Sequence, residues 1–161
     1  MAWSLRRPEA DDVPALLEFV GAGFAGYKSF APPEWEPPAA ASRENVERTV
    51  SELAVPGTYS IMAEADGEIA GFVHWSEHDP PVDIRFRYLF VAERFWGTGL
   101  ARALHDPAVA AMGDKTARLF TPEGQNRARR FYERGGWRLE AIRQVSDFGL
   151  PLVEYRRGAA G

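Results

Sequence analysis

The chain has 161 residues, 45% of them hydrophobic and 26% charged, enough for one domain with a substantial core. It has no cysteine, which excludes disulfides, thiolate metal sites and an acyl-cysteine intermediate. A formal net charge of -4 argues against nucleic acid as a partner, because neutralising phosphates takes an excess of lysine and arginine.

The opening "MAWSLRRPEADD" lacks the apolar centre of a signal peptide and no run approaches a membrane span, so a cytoplasmic protein without a membrane partner is expected. Residues 3–7 read as a short strand. A helix follows, with Ala10 to Asp12 near its start and Val13, Leu16, Leu17 and Val20 on one face. Residues 21–42 hold four prolines, three glycines and the aromatics Phe24, Tyr27, Phe30 and Trp35, which predicts a structured loop. Ser42 is placed to cap a second helix over "SRENVERTVSEL". "GTYSIMAEADGEIAGFVHWSEH" alternates on both sides of Asp66-Gly67 and predicts a hairpin. "VDIRFRYLFV" is the next strand; Leu89 to Val91 are continuously apolar, as in a strand covered on both faces. After Gly97, Leu100, Leu104, Ala108 and Ala111 recur at helical spacing. "ARLFT" is a short strand and "NRARRFYERGG" a helix with Ala128, Phe131 and Tyr132 on one face and Gly135 as its stop. "WRLEAIRQVSD" and "PLVEYRR" form a closing antiparallel pair around "FGL".

The sum is an α/β protein with a mixed sheet of about seven strands and four helices, one domain over 1–157 and a disordered tail at 158–161. Gly97 and Gly99 fall where a strand gives way to a helix. They strip side chains from a helix start, where N–H groups lack partners and the macrodipole is positive, so they predict a phosphate cradle. A plain turn is the competing reading. A Walker A loop would need Gly-Lys-Ser or Gly-Lys-Thr, whereas the chain has Gly-Thr-Gly-Leu; a Rossmann fingerprint would need glycine at Arg102.

"LFVAERFWGTGLARAL" resembles motif A of the GNAT superfamily of acyl-CoA-dependent N-acetyltransferases, with Arg94, Gly97 and Gly99 in the R/Q-x-x-G-x-G/A positions and Ala101 two places on. "NRARRFYERGGW" is similar to the same family's motif B through Asn126, Ala128, Phe131, Tyr132, Gly136 and Trp137. The resemblance implies a mostly antiparallel GNAT-like sheet splayed between its fourth and fifth strands. It also implies acetyl-CoA as the acyl donor: its pyrophosphate on the backbone from Arg94 through Phe95, Trp96, Gly97, Thr98, Gly99 and Leu100 to Ala101, and its pantetheine along Leu89, Phe90 and Val91. Asn126 and Arg129 join that cofactor set by the same implication, and Asn126 also reads as a helix cap, a role compatible with the first. Pro107 departs from the pattern and predicts a kink or break near Ala103 to Pro107.

The implied reaction is attack of an amine on a thioester, which needs a free amine, an oxyanion donor and a proton for the leaving thiolate. Tyr132 matches the family's general acid, and the N–H of Val91 or a neighbour is the oxyanion donor. Without cysteine, direct transfer is expected. The base stays open among Glu77, His78, Asp83 and His74, with His74 sharing a face with Phe72 and Glu77 and Asp83 carried forward, or a water. Phe24, Tyr27, Phe30 and Trp35 are candidate walls for a small amine or amino-acid-like acceptor, with Glu34 and Glu36 able to attract an ammonium and Asp147 and Phe148 closing the far side. The same aromatics read equally well as an inward-packed cover. No metal is expected. A non-catalytic acyl-CoA-binding module and acetylation of a protein N-terminus or lysine are the alternatives. "PLVEYRR" is an exposed final strand on which a homodimer could pair.

Overall fold

The computed structural model describes residues 2–144 and 148–158. β1 (Ser4–Arg6), α1 (Val13–Ala25), α2 (Arg43–Leu53), β2 (Thr58–Ala65), β3 (Glu68–Asp79), β4 (Val82–Val91), α3 (Leu100–Met112), β5 (Ala117–Pro122), α4 (Asn126–Arg134), β6 (Arg138–Gln144) and β7 (Pro151–Arg157) follow in the expected order. They build one seven-stranded sheet ordered β1-β2-β3-β4-β5-β7-β6, antiparallel except between β4 and β5. The expected seven strands, four helices and mixed sheet are all present.

Local chemistry explains most boundaries. The β2–β3 hairpin turns on Asp66 and Gly67, both with positive φ (53° and 76°), as a two-residue turn of this hand demands. The Ser42 hydroxyl accepts from the Asn45 N–H at 3.2 Å and starts α2. α1 reaches Ala25, one residue past the Phe24 end that its sequence suggests, and a 3-10 turn extends it to Ser29. The extension depends on Gly23: a Cβ there would lie 2.5 Å from the Phe90 ring, so only glycine lets the helix approach β4 so closely. That packing offsets the roughly 1 kcal/mol helical cost of glycine.

Two cores flank the sheet. Beneath α3 and α4 lie Val73, Ile84, Phe86, Leu100, Leu104, Leu119, Tyr132, Trp137, Val153 and Tyr155. On the other face Leu16 and Val20 of α1 meet Met62 and Phe72. Three expectations need correcting. α3 does not break at Pro107: it is helical from Leu100 to Met112, with Leu104, His105, Ala108 and Met112 buried on both sides of the proline. Met112, not Ala111, completes its apolar face. β7 is not an exposed last strand: it is hydrogen-bonded to β5 on one edge and β6 on the other, so β6 forms that margin of the sheet and the proposed pairing through "PLVEYRR" has no free edge. The tail residues 159–161 and the site candidate Asp147 lie outside the described residues.

Candidate active site

β4 and β5 pair in parallel only over Ile84–Phe86 and Ala117–Leu119. Beyond that, β4 stays with β3 as far as Val91 and β5 stays with β7 as far as Pro122, and the two strands part. A bulge accompanies the parting: His74 faces Tyr88 and Trp75 faces Phe86, leaving Arg87 as an extra residue on β4. It shifts the strand's phase, so that Phe86, Leu89 and Val91 pack toward α3 while Tyr88 and Phe90 pack toward α1. The Ala92 N–H donates to the Ala70 carbonyl of β3 at 2.8 Å. Strand alternation therefore aims the N–H groups of Val91 and Leu89 the other way, into the gap left by β5. The Val91 carbonyl on that edge accepts from the Trp96 indole at 3.0 Å.

The strand ends in a 3-10 turn, Glu93–Phe95, and the backbone then climbs to α3 through Gly97 (φ 77°) and Gly99 (φ 91°). A side chain at either glycine would meet nothing within 4 Å, so packing does not require glycine; left-handed backbone does. The turn consumes some of the amides assigned to the cradle: Phe95 N–H donates to Ala92 O (2.8 Å), Trp96 N–H to Glu93 O (3.0 Å) and Thr98 N–H to Phe95 O (3.3 Å). Those of Gly97, Gly99, Leu100, Ala101 and Arg102 have no acceptor among the described residues. Four of these five lie in the latter half of the expected Arg94–Ala101 span, and Arg102 extends it by one residue. Phe95 is core, edge-on to Trp3, and the Leu100 side chain is fully buried. Arg94 pairs with Glu68 at 3.2 Å. Trp96 is exposed, and the Arg127 guanidinium of α4 lies 4.4 Å from its ring centroid, spanning the mouth between α3 and α4. No pattern singled out Arg127 in the sequence.

On α4, Asn126 is the first helical residue and exposed; Gln125 holds the cap position, so the capping role does not apply to Asn126. Arg129 is turned inward, donating to the Tyr155 hydroxyl (3.0 Å) and the Glu123 carbonyl (3.0 Å). These bonds make it a clamp on the β5–α4 loop. Tyr132 is buried against Phe86, Trp137 and Tyr155. Its hydroxyl has no hydrogen-bond partner among the described residues. Burial, with the nearby Tyr27 phenol second, pushes its pKa well above the usual tyrosine value and keeps it a proton donor. His105 is a satisfied core histidine, with Nε2 accepting from Trp137 (3.0 Å) and Nδ1 against Asp106 (2.9 Å).

The proposed bases do not converge on this gap. Glu77 accepts from Lys115 at 2.9 Å, and Asp83 from the Thr116 N–H at 2.9 Å and its hydroxyl at 3.0 Å. The Lys115 bond holds Glu77 below the ordinary carboxylate range, and the Thr116 backbone does the same for Asp83. Asp83 precedes Leu89 by six residues, about 20 Å along a strand. Glu77 near the end of β3 and Asp83 at the start of β4 are tied to Lys115 and Thr116, just before β5; they are corrected as base candidates. His78, next to last in β3, has φ 67°. His74 shares its face with Phe72, as expected, stacked between Phe72 and Tyr88 with Nδ1 2.6 Å from the Ser60 hydroxyl. Burial lowers its pKa to about 4, ahead of a smaller effect of Arg87.

The loop aromatics pack inward. Tyr27 and Trp35 are buried with Leu150, and Phe24, Phe30 and Phe148 join them. The Trp35 indole donates to the Phe148 carbonyl at 2.8 Å, tying the 21–42 segment to the segment before β7. Tyr27 and Trp35 are therefore cover, not open walls. Phe30 also lines a cavity of about 480 Å³ with Pro122, Glu123, Arg129 and Leu150. Glu36 pairs with Lys28 at 3.3 Å, which leaves it less free to attract an ammonium. Among the described residues no cluster of three or more candidate ligands would hold a metal, and no helix is long and apolar enough to cross a membrane.

A strand edge bared beside a parallel neighbour, running into a helix start with free amides, is built for an extended ligand that carries phosphate at one end. Residues 24–137 match the profile of the Acetyltransferase (GNAT) family, and the chain belongs to that family. A GNAT-family acetyltransferase structure from Desulfovibrio desulfuricans is similar at 25% identity and a TM-score of 0.69, covering 99% of this chain and 100% of that one. A structure described as histone acetyltransferase HPA2 and related acetyltransferase, from Corynebacterium glutamicum, has 21% identity and a TM-score of 0.74, covering 100% and 98%. The PaiA N-acetyltransferase of Thermoplasma acidophilum, solved in complex with coenzyme A, has 16% identity and a TM-score of 0.67, covering 96% and 98%. No curated protein sequence matches the chain.

Proposed function

We propose that the protein moves an acetyl group from acetyl-CoA directly to a primary amine. The observation that carries this reading is the continuity between the open edge of β4 and the five free amides of Gly97 to Arg102. Acetyl-CoA supplies an acyl group already activated as a thioester. The amides of Gly97, Gly99, Leu100, Ala101 and Arg102 hold its diphosphate, helped by the helix dipole. The edge of Leu89 and Val91 orients its pantetheine, and the Val91 N–H, aimed into the gap, stabilises the oxyanion.

The amine nitrogen bonds to the acyl carbon as the carbon–sulfur bond breaks. Tyr132 gives its phenolic proton to the departing sulfur, and a water takes the proton released by the amine. The CoA complex of the Thermoplasma acidophilum relative supports the donor assignment. Calorimetry with CoA, followed by release of thiol from acetyl-CoA with amine acceptors, tests the proposal. Tyr132→Phe is expected to bind CoA like the parent and lose turnover by about 10²–10⁴-fold, the range for a general acid. Unchanged turnover removes Tyr132 from the mechanism; binding of CoA without any turnover makes the protein a binding module.

A further inference from the structure

The face of the sheet opposite α3 carries a row of arginines that the proposed chemistry does not use. Arg85 of β4 registers with Arg118 of β5, Arg118 with Arg156 of β7, and Arg156 with Arg138 of β6. Like charges placed opposite one another on a sheet repel, so each needs a counter-ion. The β5 and β7 members have theirs. Asp79 takes two hydrogen bonds from Arg118 (2.7 and 3.2 Å), and the buried Glu154 accepts from Arg156 and Arg143 at 2.7 Å each.

Arg85 does not. Its guanidinium comes no closer than 3.8 Å to Asp79 and donates no hydrogen bond to any described residue. It lies 4.3 Å from the centroid of the Phe120 ring, with its side chain 29% exposed. Burial, the largest influence on it, lowers its pKa; Asp79 opposes that, and Arg87 and Arg118 add to it. The neighbouring Arg87, the bulge residue, makes a single hydrogen bond among the described residues, to the Ser76 hydroxyl at 2.9 Å. Two half-satisfied guanidinium groups in a chain of net charge -4 form a local positive site with donors to spare.

Its position gives the site a use. Arg85 is on the same face as Tyr88, immediately before β4 and β5 part, and Phe120 is its neighbour on β5. α1 and α2 pack on that face over β2, β3 and β4. A molecule that reaches the gap from the face opposite the α3 cradle passes between α2 and the arginine row. Arg85 precedes Leu89 by four residues, and allowing for its long side chain the guanidinium stands roughly 10 Å from the gap.

We propose that Arg85, assisted by Arg87 and backed by Phe120, binds an anionic group at the far end of the acceptor, so that the preferred acceptor is an amine with a carboxylate or phosphate roughly 10 Å away, about the span of a tripeptide. This rests on the acetyltransferase reading above. It selects against polyamines, whose second ammonium would face two arginines.

The test is calorimetry on the CoA-loaded protein with the tripeptide Gly-Ala-Ala and its C-terminal amide, with aminohexyl phosphate and aminohexanol, and with spermidine. The free acid or the phosphate is expected to bind at least about tenfold more tightly than its neutral counterpart and than spermidine, one good charge-assisted contact. Whichever anion gains more identifies the natural group. Arg85→Ala should abolish the difference and leave CoA affinity unchanged; if it does not fold, Arg85→Gln carries the same expectation. Equal binding of acid and amide, absence of binding by every probe, or a preference that survives in the variant overturns the inference. Loss of CoA binding in the parent protein would instead overturn the acetyltransferase reading.

Discussion

Val91 and Ala92 are adjacent, but their amides point to opposite edges of β4, and proline at each position separates the two roles. At Ala92 the backbone is already at φ -59°, which suits the proline ring, so the main loss is the 2.8 Å bond to the Ala70 carbonyl. A buried acceptor left without its partner costs about 1–3 kcal/mol. For a chain of this size that lowers Tm by roughly 2–12 °C. At Val91 the missing N–H is one that faces the gap, so no ladder bond is lost, and Phe90 before it is extended as a residue preceding proline must be. Val91→Pro should therefore melt near the parent temperature while turnover falls about 10²–10³-fold, the effect of deleting one oxyanion donor. Thermal melts and a colorimetric thiol assay read both; the chain has no cysteine to give a background. If Val91→Pro keeps its turnover and melts low, or Ala92→Pro loses turnover with an unchanged melt, the two amides do not face the edges assigned to them.

Three further outcomes follow from the same contacts. Gly99→Ala forces a side chain to φ 91° with no steric clash, so stability should drop by about 1–2 kcal/mol from backbone strain alone, and CoA titration should show weakened affinity because the new methyl stands over the free amides. His74 has its pKa lowered from 6.5 to about 4 in the fold, so between those values the unfolded chain holds more protons and stability falls as pH drops, by about 3 kcal/mol in all. His105, also lowered by burial, acts with the same sign. Acid denaturation of His74→Phe should show a shallower slope over pH 4 to 6.5, and an unchanged slope would assign the titration elsewhere. Glu77→Gln breaks a solvent-screened pair with Lys115, so turnover should stay within about twofold and the melting temperature close to the parent's; a large loss of turnover would restore Glu77 as the base.

What the sequence by itself determined is local. Asp66-Gly67 specified a turn, Ser42 a helix start, the apolar run Leu89 to Val91 a strand covered on both faces, and Gly97 with Gly99 the passage from a strand to a helix start. With Tyr132 and Trp137 in their places, these sufficed for the family and the order of elements. Only tertiary structure decided which backbone groups stay free. The bulge at Arg87, the departure of β5 toward β7 and the burial of β7 between two partners depend on pairings between segments distant in the chain. So does the fate of charged side chains: nothing near Glu77 in sequence announces Lys115, and nothing near Arg85 announces Phe120. A hydrogen-bond donor is available only when no partner reaches it, and whether one does is a property of the whole fold.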